Sequence, residues 1–322
     1  VKYLVTGATG FVGGAVARRL REAGDEVVAL ARDPSKAGDL ASIGANVRQG
    51  DITDRESLRG PMADVDGVFH AAGWYKLDAK DPSEGERSNV QGTRNVLEVM
   101  AELGVRKGVY TSTLGVFSDT RGKLVDERYR HEGPHLSEYD RTKWKAHYEV
   151  AEPMMREGLP LVIVLPGVVY GPGDTSPIRP LLIRYLTRTL RGIPTRTAFC
   201  WAHIDDVATG HLLAMERGRP GESYIIAGPP HTVIEALEIA ERITGIPAPR
   251  FHVPPGLLRA AAAITRSESL RVAAGATYWG SNAKARRELG YEPRSLEAGL
   301  RETLRHEMAL LGTSSGGVGP TS

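Results

Sequence analysis

Tyr139 and Lys143 stand four residues apart in Tyr-Asp-Arg-Thr-Lys, inside a stretch whose apolar spacing predicts a helix over 137–157. Residues i and i+4 share one face of a helix, so the phenol and the ammonium meet the same cavity. A phenol with a pKa of about 10 is a poor acid or base near neutrality, and a neighbouring ammonium favours its phenolate and brings that value down. Such a pair is suited to moving a proton to or from an oxygen. A hydroxyl pair, Ser112 and Thr113, stands at the carboxyl end of a strand predicted over 106–111. Either hydroxyl there can hold a carbonyl or alcohol while the phenol moves the proton. Alternation along a strand sends the two neighbours to opposite faces.

A second constellation opens the chain. The apolar run from Lys2 to Val5 reads as a strand, Gly7, Gly10 and Gly13 follow at a spacing of three, and helical periodicity runs from Phe11 through Leu20 to Gly24. Strand, glycine turn and helix in that order make an anion site, because glycine lets the backbone approach and free N–H groups at the helix start face a phosphate.

The elements that must position these groups alternate. Strands are predicted at Glu26–Ala31, Asn46–Gln49, 66–72, 106–111 and 161–165, with helices over 54–62, 83–103 and 137–157 between them. Asp33 and Pro34 start a short helix as N-cap and first residue. This alternation predicts an α/β fold, a doubly wound parallel sheet of Rossmann type that binds ligands at the carboxyl ends of its strands. From Gly167 the pattern loosens: 171–174 and 177–180 read as loop and 181–191 as helix. Strands over 199–202 and 222–227 flank a helix over 205–217. Helices at 232–244, 255–264, 283–289 and 296–311 follow. The expected division is a cofactor domain over 1–166 completed by about 196–227, a smaller, mostly helical substrate-binding cap from 167–195 and 228–311, and a disordered Gly/Ser-rich tail over 312–322.

The 322 residues carry 41 Lys and Arg against 39 Asp and Glu, and the net charge of +2 argues for neither a nucleic-acid surface nor a membrane patch. The single cysteine, Cys200, excludes an internal disulfide and fits a reducing compartment. No leader is recognised before the first strand, and apolar runs such as 257–264 are too short to span a bilayer. The expectation is a cytoplasmic protein. Nine scattered histidines make no metal-ligand cluster by spacing, so no metal is expected.

Several further motifs stand at matching places: Gly50-Asp51-Ile52, His70-Ala71-Ala72-Gly73, Asn89 ahead of Gly92-Thr93, Pro166-Gly167-Val168-Val169-Tyr170-Gly171-Pro172, and His203-Ile204-Asp205-Asp206-Val207-Ala208. With Thr6–Gly13 and the Tyr139/Lys143 pair, they make the chain resemble the extended short-chain dehydrogenases/reductases, in the epimerase and dihydroflavonol-reductase branch, from Lys2 to about Leu310. The resemblance implies that Gly7, Thr9, Gly10, Phe11 and Val12 form the cofactor loop. It implies that Asp51, with Ile52, contacts adenine, that Ala71, Ala72 and Gly73 lie beside the ribose and pyrophosphate, and that Asn89 takes the family's helix position. Pro166, Gly167, Val168 and Val169 would cover the nicotinamide. Tyr139 becomes the acid/base and Lys143 its partner, which also holds the nicotinamide ribose. The family's catalytic serine falls on Thr113 by spacing to the tyrosine, a departure that leaves Ser112 as the alternative. The His-x-Asp-Asp motif reads as structural. Pairing of the helices over 83–103 and 137–157 across a dimer axis makes a homodimer the expected assembly.

Residues after the second strand choose the cofactor. Ala31 stands where an acidic residue would hold the ribose hydroxyls, Arg32 follows, and Ser35 and Lys36 are within reach. A guanidinium suits a 2′-phosphate, so Arg32 and Lys36 point to NADP(H), with NAD(H) as the alternative. Nucleotide-sugar enzymes of this family usually carry arginine four residues before the His of His-x-Asp-Asp, where this chain has Phe199, and asparagine shortly before Tyr-Gly-Pro, where it has Gly167-Val168-Val169. Arg179 and Arg196 are the substitutes available. Trp74, Tyr75, Lys76 and Phe117 are placed to line an aromatic pocket. The expected function is an NADP(H)-dependent reductase of a small-molecule ketone or aldehyde. The alternatives are an NAD-dependent sugar epimerase/dehydratase and a non-catalytic cofactor-binding protein.

Overall fold

The computed structural model describes residues 1–312; the rest of the tail expected over 312–322 lies outside the described residues. The strands in chain order are β1 (Lys2–Thr6), β2 (Glu26–Ala31), β3 (Asn46–Gln49), β4 (Gly67–His70), β5 (Lys107–Thr111), β6 (Leu161–Pro166), β7 (Val168–Tyr170), β8 (Ile193–Pro194), β9 (Ala198–His203), β10 (Ser223–Ile226), β11 (Pro230–Thr232), β12 (His252–Val253) and β13 (Thr277–Tyr278). Seven of them form one parallel sheet in the order β10-β6-β5-β4-β1-β2-β3. The strand order reverses between β1 and β4, and at such a switch point a crevice opens beyond the strand ends. All six residues of β6 are buried, as a strand covered on both faces requires.

Right-handed crossovers put the helices after β1 and after β4 on opposite faces, because the chain moves away from β1 in opposite directions. On one side Phe11–Glu22 packs on Ile204–Arg217; on the other, residues 83–102 pack on 138–156. These last two helices end close to where periodicity places them, but each carries a wide π-helical turn, at Glu86–Gln91 and at Ala146–Ala151. Period counting does not reveal a turn widened by one residue inside an otherwise helical pattern.

The structure corrects the reading of the second half. The strand over 199–202, expected to help complete the large sheet, is β9, the centre of a separate four-stranded sheet. It pairs antiparallel with β11 and parallel with β7 and β13. Only β10 joins the large sheet. The stretch after Gly167, where the sequence pattern loosens, forms β7 ahead of the loop expected over 171–174, and the helix expected over 181–191 runs from Ile178 to Leu186. A further helix forms at Glu268–Ala273, between the helices expected at 255–264 and 283–289. The small sheet and the helices Ile178–Leu186, Val233–Thr244 and Leu296–Leu310 share a second hydrophobic core around Tyr170, Leu182, Tyr185, Trp201, Leu237 and Leu300. Val233–Thr244 is closed by a capping box of Thr232 and Glu235 and ends at Gly245 in the left-handed region.

Candidate active site

The glycine turn after β1 is built by close approach. Gly7 has φ +69°, and a β-carbon on it would lie 2.6 Å from the Ala72 nitrogen; one on Gly13 would lie 2.3 Å from the Gly7 carbonyl oxygen. The Gly10 N–H donates to that same carbonyl at 2.9 Å. The helix Phe11–Glu22 begins with no side-chain cap and no acidic residue in its first turn, and Thr9 and Gly10 are exposed. Uncovered N–H groups at the switch point fit a pyrophosphate, so the residues present suit the dinucleotide that this fold implies.

Around that turn the other expected contacts hold defined places. Asp51 accepts from both the N–H and the hydroxyl of Thr53 at 2.9 Å, and Ile52 is buried against Gly92. Asn89 is buried and bridges two elements: its Oδ1 accepts from the Trp74 N–H at 2.8 Å, and its Nδ2 donates to the Trp74 carbonyl at 3.0 Å and the Thr142 hydroxyl at 2.9 Å. It thereby fixes the segment after Ala71, Ala72 and Gly73 to the helix that carries Tyr139. Pro166 ends β6, and Gly167 must be glycine because a β-carbon would lie 1.9 Å from the Cys200 carbonyl oxygen. Val168 and Val169 are half-buried in β7. Arg32 is exposed at the end of β2 and makes no hydrogen bond or ion pair among the described residues. Asp33 caps the turn Pro34–Lys36 by accepting from the Ser35 N–H, and Lys36 lies 3.4 Å from it.

Two residues outside the expected site set, His70 and Tyr110, join this cradle to the lysine. The Thr6 hydroxyl accepts from the Ala72 N–H at 3.2 Å and shares a hydrogen bond of 2.8 Å with His70 Nδ1, while His70 Nε2 lies 3.1 Å from Thr93 Oγ1. Burial holds His70 neutral, its pKa pushed down to about 3. Tyr110 stacks on the His70 ring at 5.3 Å, and its hydroxyl accepts from Lys143 Nζ at 3.0 Å.

Lys143 also donates to the Thr111 carbonyl at 2.8 Å. Its ammonium is therefore directed at β5 rather than at the Tyr139 hydroxyl, and burial lowers its pKa to about 7. Tyr139 moves the other way: loss of hydration pushes its phenol up, and the hydrogen-bonding Thr113 offsets only part of this. The expected lowering of the phenol by a nearby ammonium is thus absent in this arrangement, because desolvation outweighs charge attraction for both groups. The two candidate hydroxyls face different partners. Ser112 is buried with its Oγ 2.8 Å from His147 Nδ1. Thr113 accepts from the Gly115 N–H at 3.0 Å, which leaves its own proton free to donate on the Tyr139 side.

Tyr75 meets Tyr139 edge-on, ring centroids 4.5 Å apart, and is 45% exposed. Trp74 is buried and donates its indole N–H to Glu84 at 3.0 Å; Lys76 pairs with the same carboxylate. Phe117, expected in the pocket, is 1% exposed and packs edge-on against Tyr129 in the main core, because the turn at Leu114–Phe117 folds it inward. Arg179 is engaged by the buried Glu307 at 2.8 Å. The acidic residues of the motif at 203–208 are taken up in ion pairs. His203, Asp205 and Glu302 form the one group of potential metal ligands among the described residues, but Arg294 already bridges Asp205, Asp206 and Glu302. No helix of the described residues is long and apolar enough to cross a membrane.

The sequence model of the NAD dependent epimerase/dehydratase family matches residues 3–227. A Synechocystis sp. protein assigned as a dihydroflavonol 4-reductase is 36% identical over 262 residues, 78% of this chain and 75% of the relative. The 4-hydroxy-2-methyl-3-oxo-4-farnesyl-3,4-dihydroquinoline-1-oxide ketoreductase of Stigmatella aurantiaca is 32% identical over 311 residues, 91% of this chain and 92% of the relative. Among solved structures, a nucleoside-diphosphate-sugar epimerase from Pseudomonas aeruginosa superposes with a TM-score of 0.80 at 25% identity, covering 97% of this chain and 99% of the other. With this family match over most of its length, a doubly wound sheet and a glycine turn at the switch point, the chain belongs to the NAD-dependent epimerase/dehydratase family of extended short-chain dehydrogenases/reductases.

Proposed function

We propose that this protein is an NADP(H)-dependent reductase of an apolar or aromatic ketone or aldehyde, with Tyr139 as general acid. The observation that carries the reading is the placement of the Tyr139 phenol beside the Thr113 hydroxyl, with the Tyr75 ring edge-on to it at 4.5 Å. A phenol is protonated near neutral pH, the form needed to give a proton to a carbonyl oxygen. Thr113 and Tyr139 would hydrogen-bond that oxygen as negative charge develops on it, and Tyr139 would transfer its proton. Formation of the phenolate would draw the ammonium of Lys143, one helical turn away, from Tyr110 and Thr111 toward Tyr139. The glycine turn, Asp51 and Lys143 would hold the dinucleotide, with Arg32 and Lys36 at its 2′-phosphate; when bound, its nicotinamide supplies the hydride. In this reading residues 1–166, completed by the helix Ile204–Arg217 and β10, hold the cofactor, while the second core with the small sheet covers the substrate. The protein works in the cytoplasm as a homodimer paired through the helices over 83–102 and 138–156.

A nucleotide-sugar epimerase or dehydratase using NAD is the second reading. One observation favours it: Arg259, Arg266 and Arg271 line a cavity of about 570 Å³ in the C-terminal part, positive charge that would suit a diphosphate. One measurement separates the two. Purified protein is desalted, then given NADPH with a panel of aromatic and aliphatic carbonyls, and separately given sugar nucleotides with nothing added. Release of cofactor on desalting and carbonyl-driven NADPH consumption are expected. Arg32→Ala should weaken NADPH by about 1.5–3 kcal/mol, the range for hydrogen bonds to charged groups, and leave NADH nearly unchanged. Tightly retained NAD, together with turnover of sugar nucleotides without added cofactor, would sink the reductase reading and the role of Arg32 with it.

A further inference from the structure

Two helix starts lie beside Tyr139, and a carboxylate from outside each helix takes up its free N–H groups. The helix Glu138–Lys145 begins one residue ahead of Tyr139, and the N–H of Glu138 has no acceptor within its own helix. It donates to Oε1 of Glu268, at 2.9 Å, across 130 residues of chain. The other oxygen of that carboxylate accepts from the N–H of Asp78 at 3.1 Å, across 190 residues. Asp78 returns the contact at the start of the helix Glu268–Ala273: its carboxylate accepts from the Glu268 N–H at 2.5 Å, the Ser267 hydroxyl at 3.1 Å and the Ser269 N–H at 3.4 Å. The Glu268 carboxylate thus lies at the start of the Tyr139 helix, and the Asp78 carboxylate, from the loop after Tyr75, lies at the start of the helix that carries Glu268. Asp78 holds φ at +57°, a conformation unfavourable for a residue with a β-carbon, which persists where surrounding bonds over-determine it.

The geometry gives this clasp a place in the site. Asp78 lies three residues beyond Tyr75, and Glu138 directly precedes Tyr139. One side chain, Glu268, therefore ties the loop that carries Tyr75 to the helix that carries Tyr139, whose rings stand edge-on at 4.5 Å. A second tie runs the same way. Tyr278, ten residues after Glu268, donates its hydroxyl to the buried Oδ2 of Asp140 at 3.0 Å. The C-terminal segment 267–278 thus grips the first turn of the Tyr139 helix at two points.

We propose that Glu268 is a positioning residue, with Asp78 its partner: bound to the backbone on either side of the substrate space, it sets the spacing between Tyr75 and Tyr139 at which a carbonyl oxygen meets the Tyr139 hydroxyl. This rests on the reading of Tyr139 as proton donor. Misplacement of a reacting group by about 1 Å is enough to cost on the order of a hundredfold in rate, so loss of the clasp acts on turnover more than on cofactor affinity.

The test uses the full chain, with benzil as the carbonyl and NADPH as reductant. Hydrogen exchange is followed in peptides covering 75–82, 137–141 and, as control, 7–14. Glu268→Ala is expected to lower kcat about 10- to 100-fold, to leave the NADPH dissociation constant within about twofold, and to speed exchange over 75–82 and 137–141 but not over 7–14. Glu268→Gln keeps one acceptor oxygen and should fall between Glu268→Ala and wild type. The double variant with Asp78→Ala should be no slower than Glu268→Ala, because the two residues act as one unit. Wild-type kcat with unchanged exchange in Glu268→Ala or Glu268→Gln overturns the proposal, as does a parallel loss of cofactor affinity and control-peptide protection. Tyr139→Phe separates the layers. If that variant turns over normally, the reading of Tyr139 fails; if it is inactive while the Glu268 variants behave as wild type, the clasp alone fails.

Discussion

Tyr139 and Lys143 titrate in opposite directions from their ordinary values, and both shifts come from burial. Tyr139→Phe keeps the ring and removes only the transferable proton, so turnover should fall at least about a hundredfold with cofactor binding near wild type; near-normal turnover would remove Tyr139 from the chemistry. Thr113→Val and Ser112→Ala, measured side by side, should differ, with the first more damaging, since Ser112 is occupied by His147. Lys143 has a stability signature of its own. Below about pH 7 its ammonium is charged in both folded and unfolded chains, and the folded chain carries the full desolvation cost. Between about 7 and its ordinary 10.5 the unfolded chain binds more protons, so stability rises with pH. Lys143→Met should therefore melt higher than wild type near pH 6, with the advantage shrinking toward pH 9. A lower melting point for the variant at the acidic end would show that the two hydrogen bonds of the ammonium outweigh its burial.

At the scale of elements, the β1 turn and its helix are held together by backbone contact. Because a β-carbon on Gly13 would sit 2.3 Å from the Gly7 carbonyl oxygen, Gly13→Ala must push the helix Phe11–Glu22 away from the turn. Overpacking of this kind costs roughly 1–3 kcal/mol, and here it also displaces the N–H groups aimed at the phosphates. The expected outcome is a lower melting temperature with cofactor affinity reduced more than tenfold, read by thermal denaturation and by fluorescence titration with NADPH. A variant that melts early yet binds cofactor normally would show that the turn tolerates the shift.

Across the whole molecule, three buried histidines bear on acid stability. His70 and His147 are pushed down to about 3 and His211 to about 4, all chiefly by desolvation. Each is neutral in the folded chain where the unfolded chain, at an ordinary value of 6.5, already binds a proton. Stability is therefore lost as pH falls below about 6.5, at about 1.4 kcal/mol per pH unit for each fully linked group. Melting temperature should drop steeply between about pH 6.5 and 4. His147→Asn, whose side-chain oxygen can take the place of Nδ1 toward Ser112, should flatten that slope; an unchanged slope would mean His147 does not contribute.

What the sequence determined by itself was carried by short-range periodicity and turn chemistry. The β1 turn, the capping of Pro34–Lys36 by Asp33 and the shared helix face of Tyr139 and Lys143 each depend on residues within a few positions of one another, where φ preferences and side-chain reach suffice. The same alternation of strand and helix was enough for the doubly wound sheet. Tertiary structure alone decided where those groups point. Lys143 turns to Tyr110 and Thr111 because the fold brings the end of β5 within reach of its side chain, and Ser112 is occupied because His147 reaches it across 35 residues. Phe117 enters the core, β9 leaves the large sheet for the small one, and Glu268 reaches Asp78 from 190 residues away. Desolvation and hydrogen bonding of this kind arise from which surfaces the folded chain brings together, and local residue pattern does not contain that information.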